Sequence, residues 1–109
     1  MVYEQVAYRI SFVLFGEDAD RVKIEYDEYD ELVLIVDVHG YTVKEAKKVI
    51  DGVFKVINVS FTFRLIHGYN HGTKLKEYIH NEFINNRVVE KYCYPNNPGE
   101  TFLTVVEEQ

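Results

Sequence analysis

A single cysteine, Cys93, occurs in 109 residues. An internal disulfide is therefore excluded, and a reducing compartment fits. The chain has no C-x-x-C and no H-E-x-x-H, so its four histidines and one cysteine make a thin inventory for a metal centre. It has no apolar run of about 18 residues or more, which leaves no expected membrane span. The opening "MVYEQVAYRISFVLFGED" lacks a basic leader and sets polar residues inside its apolar stretch, which argues against a secretory signal. A cytoplasmic protein with no membrane partner is expected.

Basic charge is also scarce. Twelve Lys and Arg face eighteen Asp and Glu, for a net charge of −6, which on its face argues against a nucleic-acid partner. The placement of the charge changes that reading. Residues 1–31 hold nine acidic and three basic residues, and residues 32–109 hold nine of each. The whole surplus lies in the leader, and the remainder is free to carry a local basic face.

What the chain does have is an apolar fraction of 47 %, enough for a packed core in one domain. "VAYRISFVL" alternates, with Val6, Tyr8, Ile10, Phe12 and Leu14 sharing one face of a strand, although its length also permits a helix. "RVKIEYD" alternates again after the turn "GEDAD", so residues 5–26 are expected to form a β-hairpin, followed by an acidic turn. Residues 32–36 are continuously apolar, as in a central strand. "TVKEAKKVIDGVFKV" places Val43, Ala46, Ile50, Val53, Phe54 and Ile57 at helical spacing, and Thr42 with Glu45 makes a capping-box start. Gly52 inside this helix suggests a close contact. "SFTFRLIHG" is a second strand, and "TKLKEYIHNEFINN" a second helix with Leu75, Ile79 and Phe83 on one face. "RVVEKYCY" and "TFLTVVEE", joined by "PNNPGE", predict a closing antiparallel hairpin. The expected order after residue 31 is β-α-β-α-β-β in a mixed sheet with two helices, preceded by the hairpin of the acidic extension.

The tripeptide His-Gly-Tyr occurs twice, at 39–41 and 67–69, each time between a strand and a helix. Two parallel strands joined by a helix end at the same sheet edge, so both elbows should lie there. Helix N-termini carry unpaired N–H groups and partial positive charge, which suits phosphate. Gly40, Gly68 and Gly72 allow close backbone approach. His39 and His67 can move protons, and Asp37, two residues before His39, can orient its imidazole. Lys74 and Lys76 sit unfavourably for the helix dipole in the first turn of the second helix, as if serving an anion. Each feature has a plainer reading: Gly after a strand is common turn chemistry, His at a strand end is often structural, and surface Lys needs no ligand. His71 lies in the second loop, His80 reads as structural, and Cys93 as buried. Tyr41 and Tyr69 are the tyrosines placed for stacking on bases.

Three motifs together carry a family resemblance. "VDVHGYTVKEA" resembles the D-x-H-G-x-T-x-x-E-A opening of the Smr (small MutS-related) domain. "IHGYNHGTKLK" is similar to that family's second motif, and "NPGETFLTVVEE" to its closing hairpin. The resemblance covers residues 32–109, with residues 1–31 outside it as an acidic extension. It implies an α/β (α+β) two-layer sandwich, nucleic-acid binding, and in several members endonuclease or nicking activity on DNA or RNA. Carried over residue by residue, it implies catalytic roles for Asp37, His39 and His67. Its motifs also fall on Gly40, Gly68, Gly72 and Lys76, and with Thr42, Tyr69, Asn70, His71, Thr73 and Lys74 around them these are the candidate phosphate or nucleic-acid contacts. Asn70 stands where the common H-G-x-G-x-G form has its middle Gly, and Asn tolerates the left-handed conformation.

The leading expectation is therefore an endonuclease cleaving phosphodiesters at the two His-Gly elbows. The alternatives are a non-catalytic nucleic-acid binding module, and a protein-interaction domain whose acidic extension pairs with a basic partner or covers the basic face. No organic cofactor is expected. A divalent metal stays open, because Asp37 alone is too few carboxylates for a two-metal site.

Overall fold

The N-terminal segment does not form the expected β-hairpin. In the computed structural model, which describes residues 1–69 and 73–109, the chain begins with helix α1 (Tyr3–Ile10). A single turn, α2 (Glu17–Asp20), follows, and then strand β1 (Val22–Tyr26). The reason lies in which of the alternating residues are buried. Val6, Ile10 and Leu14 are in the core, while Tyr8 and Phe12 are 67 % and 61 % exposed. The buried three recur every four residues, which is one face of a helix. Gln5 Oε1 accepts from the Val2 amide and closes the first turn.

The rest follows the expected order: β2 (Leu32–Asp37), α3 (Val43–Val56), β3 (Phe61–Ile66), α4 (Thr73–Glu77), β4 (Val88–Tyr94) and β5 (Asn97–Val105). The five strands form one mixed sheet in the order β1-β2-β3-β5-β4. Strands β2 and β3 are parallel, and the other neighbours are antiparallel. The acidic run before β2 is a turn in which Asp27 Oδ1 accepts from the amides of Tyr29 and Glu31.

The pleat sorts the side chains. Leu34 and Val36 of β2 register with Phe63 and Leu65 of β3, and these with Leu103 and Thr101 of β5. All six are completely buried. The apolar stripes of α1 (Val6, Ile10) and α3 (Ala46, Val49, Ile50, Val53) join them in one cluster, so these helices cover one face of the sheet. Helix α3 starts as its sequence predicts. Thr42 Oγ1 accepts from the Glu45 amide, and Glu45 Oε1 accepts from the Thr42 amide. Gly52 is where the chain after α1 crosses α3: a Cβ there would lie 3.5 Å from Val13 and Leu14.

Helix α4 is shorter than the uninterrupted helix expected, because it widens into a π-helical turn at Tyr78–Glu82. The Phe83 amide bonds to the Tyr78 carbonyl, five residues back. Lys91 on β4 holds the widened turn, with Nζ 2.7 Å from the Ile79 carbonyl and 2.6 Å from that of Phe83. Among the described residues no helix is long and apolar enough to cross a membrane.

Candidate phosphate and proton-transfer site at the two elbows

Since β2 and β3 are parallel neighbours, the two His-Gly elbows emerge side by side. A Cβ placed on Gly68 would lie 3.6 Å from that of His39. Both glycines need their lack of a side chain: φ is +80° at Gly40 and +89° at Gly68.

At the first elbow Asp37 ends β2 and turns its carboxylate back on the loop. Its Oδ1 accepts from the His39 amide at 3.1 Å and meets His39 Nδ1 at 2.5 Å. The carboxylate accepts, so Nδ1 carries the proton and Nε2 is the open nitrogen. The His39 side chain is 63 % exposed. Next to it the 14-residue helix α3 begins. Thr42 Oγ1 accepts from the Glu45 amide in the cap, which leaves its O–H able to donate towards the elbow. The amides of Val43 and Lys44 in the first turn of α3 take no acceptor among the described residues.

The second elbow is built differently. His67 is 1 % exposed. Its Nδ1 lies 2.9 Å from the Gly68 carbonyl, which can only accept, so Nδ1 is protonated. Nε2 must then accept, and it does so from the Thr101 hydroxyl at 2.9 Å. That hydroxyl has one proton, so His80 Nε2, also 2.9 Å from Thr101 Oγ1, must be the donor in its turn. Cys93 Sγ lies 3.4 Å from both His80 Nε2 and Thr101 Oγ1. The relay His80–Thr101–His67–Gly68 thus runs with one direction of donation while both rings are neutral. Burial, followed by the nearby Lys76, pushes His67 below its ordinary value against the pull of the Gly68 carbonyl. Burial and then Lys76, His67 and Lys91 push His80 down as well. The His67 and Gly68 amides are taken too, both donating to the Gly99 carbonyl at 3.0 and 3.1 Å.

The structure therefore brings Asp37, His39, Gly40 and Gly68 together at one edge, and withdraws His67 beneath it. Tyr69 is exposed, Lys74 is exposed, and Lys76 is half-buried beside His80. Thr73 opens α4. Asn70, His71 and Gly72 lie outside the described residues.

Two contributors were missed by sequence reasoning. Arg21, between α2 and β1, donates from Nη1 to the carbonyls of Asp37 and His39, at 3.0 and 2.9 Å. Its guanidinium also lies over the Tyr41 ring, 4.2 Å from the centroid, and pairs with Glu17. Tyr41 donates its hydroxyl to Asp18; burial, followed by that bond, pushes its pKa up to about 12. This tyrosine therefore packs against the leader. Nothing in the pattern "ADRVK" signals the Arg21 clamp. Thr101 was the other omission, a lone polar residue on a core-facing position that bonds His80, the histidine read as structural.

Compared with known proteins, the chain matches no protein-family model, and neither a curated protein nor a solved structure shows significant similarity to it.

Proposed function

We propose that this chain is a Smr-like domain that acts on nucleic acid and cleaves phosphodiester bonds at the first elbow. The observation that carries the reading is the Asp37–His39 pair, solvent-facing and set beside the N-terminus of α3. The carboxylate fixes the imidazole with Nε2 outward, which is the arrangement of a general base. As the oxygen of the attacking water bonds to phosphorus, Nε2 takes its proton. The phosphorus–oxygen bond to the leaving group breaks, and the leaving alkoxide takes a proton from solvent. The first-turn amides of α3 and the lysines at the two helix starts, Lys44 on α3 and Lys74 and Lys76 on α4, offset the charge gathering on the phosphoryl oxygens. His67 enters this scheme as the residue that holds the Gly68 carbonyl and thus the shape of the second elbow.

The test compares wild type, His39→Ala and Asp37→Asn on supercoiled plasmid and on structured RNA. Removing the base should slow cleavage about 10²- to 10⁴-fold. Equal rates in all three proteins, or no cleavage by wild type under any divalent-ion condition, would sink the catalytic reading.

One observation favours the runner-up, a binding module without chemistry. With His67 sealed in its relay, the described residues offer a single open imidazole and no second group placed to protonate the leaving oxygen. Such a module binds through the same amides and lysines. Its affinity falls linearly in log–log dependence on salt, and Lys76→Ala lowers that slope by about 1. Salt-independent binding counts against it.

A further inference from the structure

The face of the sheet opposite the helices carries a groove of about 400 Å³ that borders Asp37. Its floor is Ile35 and Ile66. Sheet register puts Lys23, Ile35 and Arg64 in one row across three strands, with Glu25 two residues from Lys23 on the same face. Arg64 holds both oxygens of Glu100 through Nη2 alone, at 3.1 and 2.9 Å. Its Nε is buried without an acceptor among the described residues. Its Nη1 takes no acceptor among the described residues, so that is the guanidinium donor left for a ligand.

We propose that this groove is a base-binding subsite selective for guanine, continuous with the elbow site. A nucleotide whose phosphate sits at His39 has its base within reach of the groove, since Asp37 lines both. The aliphatic floor takes the flat face of the base. Guanine presents O6 and N7 as adjacent acceptors, which suit Arg64 and Lys23, and N1–H with the N2 amino group as donors, which suit Glu25. Adenine puts an amino donor where guanine has O6, so it meets the arginine with like polarity. Pyrimidines have no N7. The volume suits one nucleotide unit.

The inference rests on the elbow reading only for where the phosphate lies, and base selectivity is measured without any cleavage. The full chain is titrated with GMP, AMP, CMP, UMP and ribose 5-phosphate while its amide NMR signals are followed. GMP should bind about tenfold or more tightly than the other nucleotides, shifting the signals of Lys23, Ile35, Arg64 and Ile66. Glu25→Gln, an exposed change, and Arg64→Gln should each remove the preference. Equal affinities, or a preference that survives in both variants, overturn the proposal. Ribose 5-phosphate reports on the elbow separately, by shifts at residues 39–44. Their absence, with GMP still shifting the groove, counts against the elbow reading alone. A U-only oligonucleotide and one with a single G complete the test. Tighter binding of the second supports a guanosine within a strand, and indifference to the G overturns continuity with the elbow.

Discussion

Arg21 Nη1 lies 2.9 Å from the carbonyl oxygen of His39, and the same nitrogen holds the carbonyl of Asp37. The backbone answers in kind, with the Asp37 amide donating to the Arg21 carbonyl. The acidic leader thus supplies the clamp that fixes the carboxylate–imidazole pair. Hydrogen bonds from a charged donor contribute about 1.5–3 kcal/mol each, less where water competes. Arg21→Ala should therefore lower stability by about 1–3 kcal/mol. Hydrogen exchange should also speed up at the His39 and Tyr41 amides while α3 keeps its protection. Unchanged exchange at those two amides would show that the clamp does not hold the elbow.

Thr101 is the hinge of the buried relay: its hydroxyl bonds both His67 and His80. Thr101→Val keeps the shape but leaves the His67 Nε2 acceptor unmet and His80 Nε2 with only the weaker Cys93 sulfur, 3.4 Å away. Each such loss costs about 1–3 kcal/mol, so urea unfolding should move to clearly lower midpoint. Thr101→Ser restores the hydroxyl and most of the stability. Equal stability of the Val and wild-type proteins would mean that the relay contributes nothing.

The same relay makes a pH prediction whose sign is fixed by the direction of the shifts. His67 and His80 both sit below 6.5 in the folded chain, chiefly through burial. The unfolded chain then binds more protons in the window between the folded values and 6.5. Their contribution is full above about pH 6.5 and is lost as pH falls through the folded values. Protonating His67 also makes Nε2 a donor, which the present direction of the Thr101 hydroxyl opposes. Unfolding free energy measured from pH 7.5 downward should start to fall near 6.5, before the carboxylates titrate. His67→Gln should flatten that part of the curve. A wild-type curve already flat there contradicts the assignment.

Most of the fold beyond residue 31 was legible because its periods were unambiguous. The short apolar run at 32–36 reads as a central strand, Thr42 and Glu45 announce a helix, and the paired strands β2 and β3 bring the two elbows together. What the sequence did not disclose depends on distant partners. Whether a His after a strand is open or sealed turns on residue 101, 34 positions away, and on a carbonyl at Gly99 that takes both elbow amides. Asp37 and His39, by contrast, meet through local geometry, and the D-x-H spacing was enough to place them on one side. The π-helical turn was hidden for the same reason as the relay, since Lys91 on another strand supports it.

The leader's pattern fits two periods, and the two predict different costs of substitution. Val6, Tyr8, Ile10, Phe12 and Leu14 alternate, but every second member also repeats at i and i+4, so the pattern is degenerate between strand and helix. A strand would bury the aromatic residues at 8 and 12, whereas the helix leaves both in water. The two rings touch edge-on, with centroids 4.9 Å apart, which is worth about 0.5–1.5 kcal/mol at most. Tyr8→Lys and Phe12→Lys should each cost no more than about 1.5 kcal/mol. Ile10→Ala, which empties a buried position against α3, should cost about 2–5 kcal/mol. A hairpin with all five residues facing the core predicts losses of the larger size at 8, 10 and 12 alike. Denaturant midpoints of the three variants therefore separate the helix from the strand without any further structure.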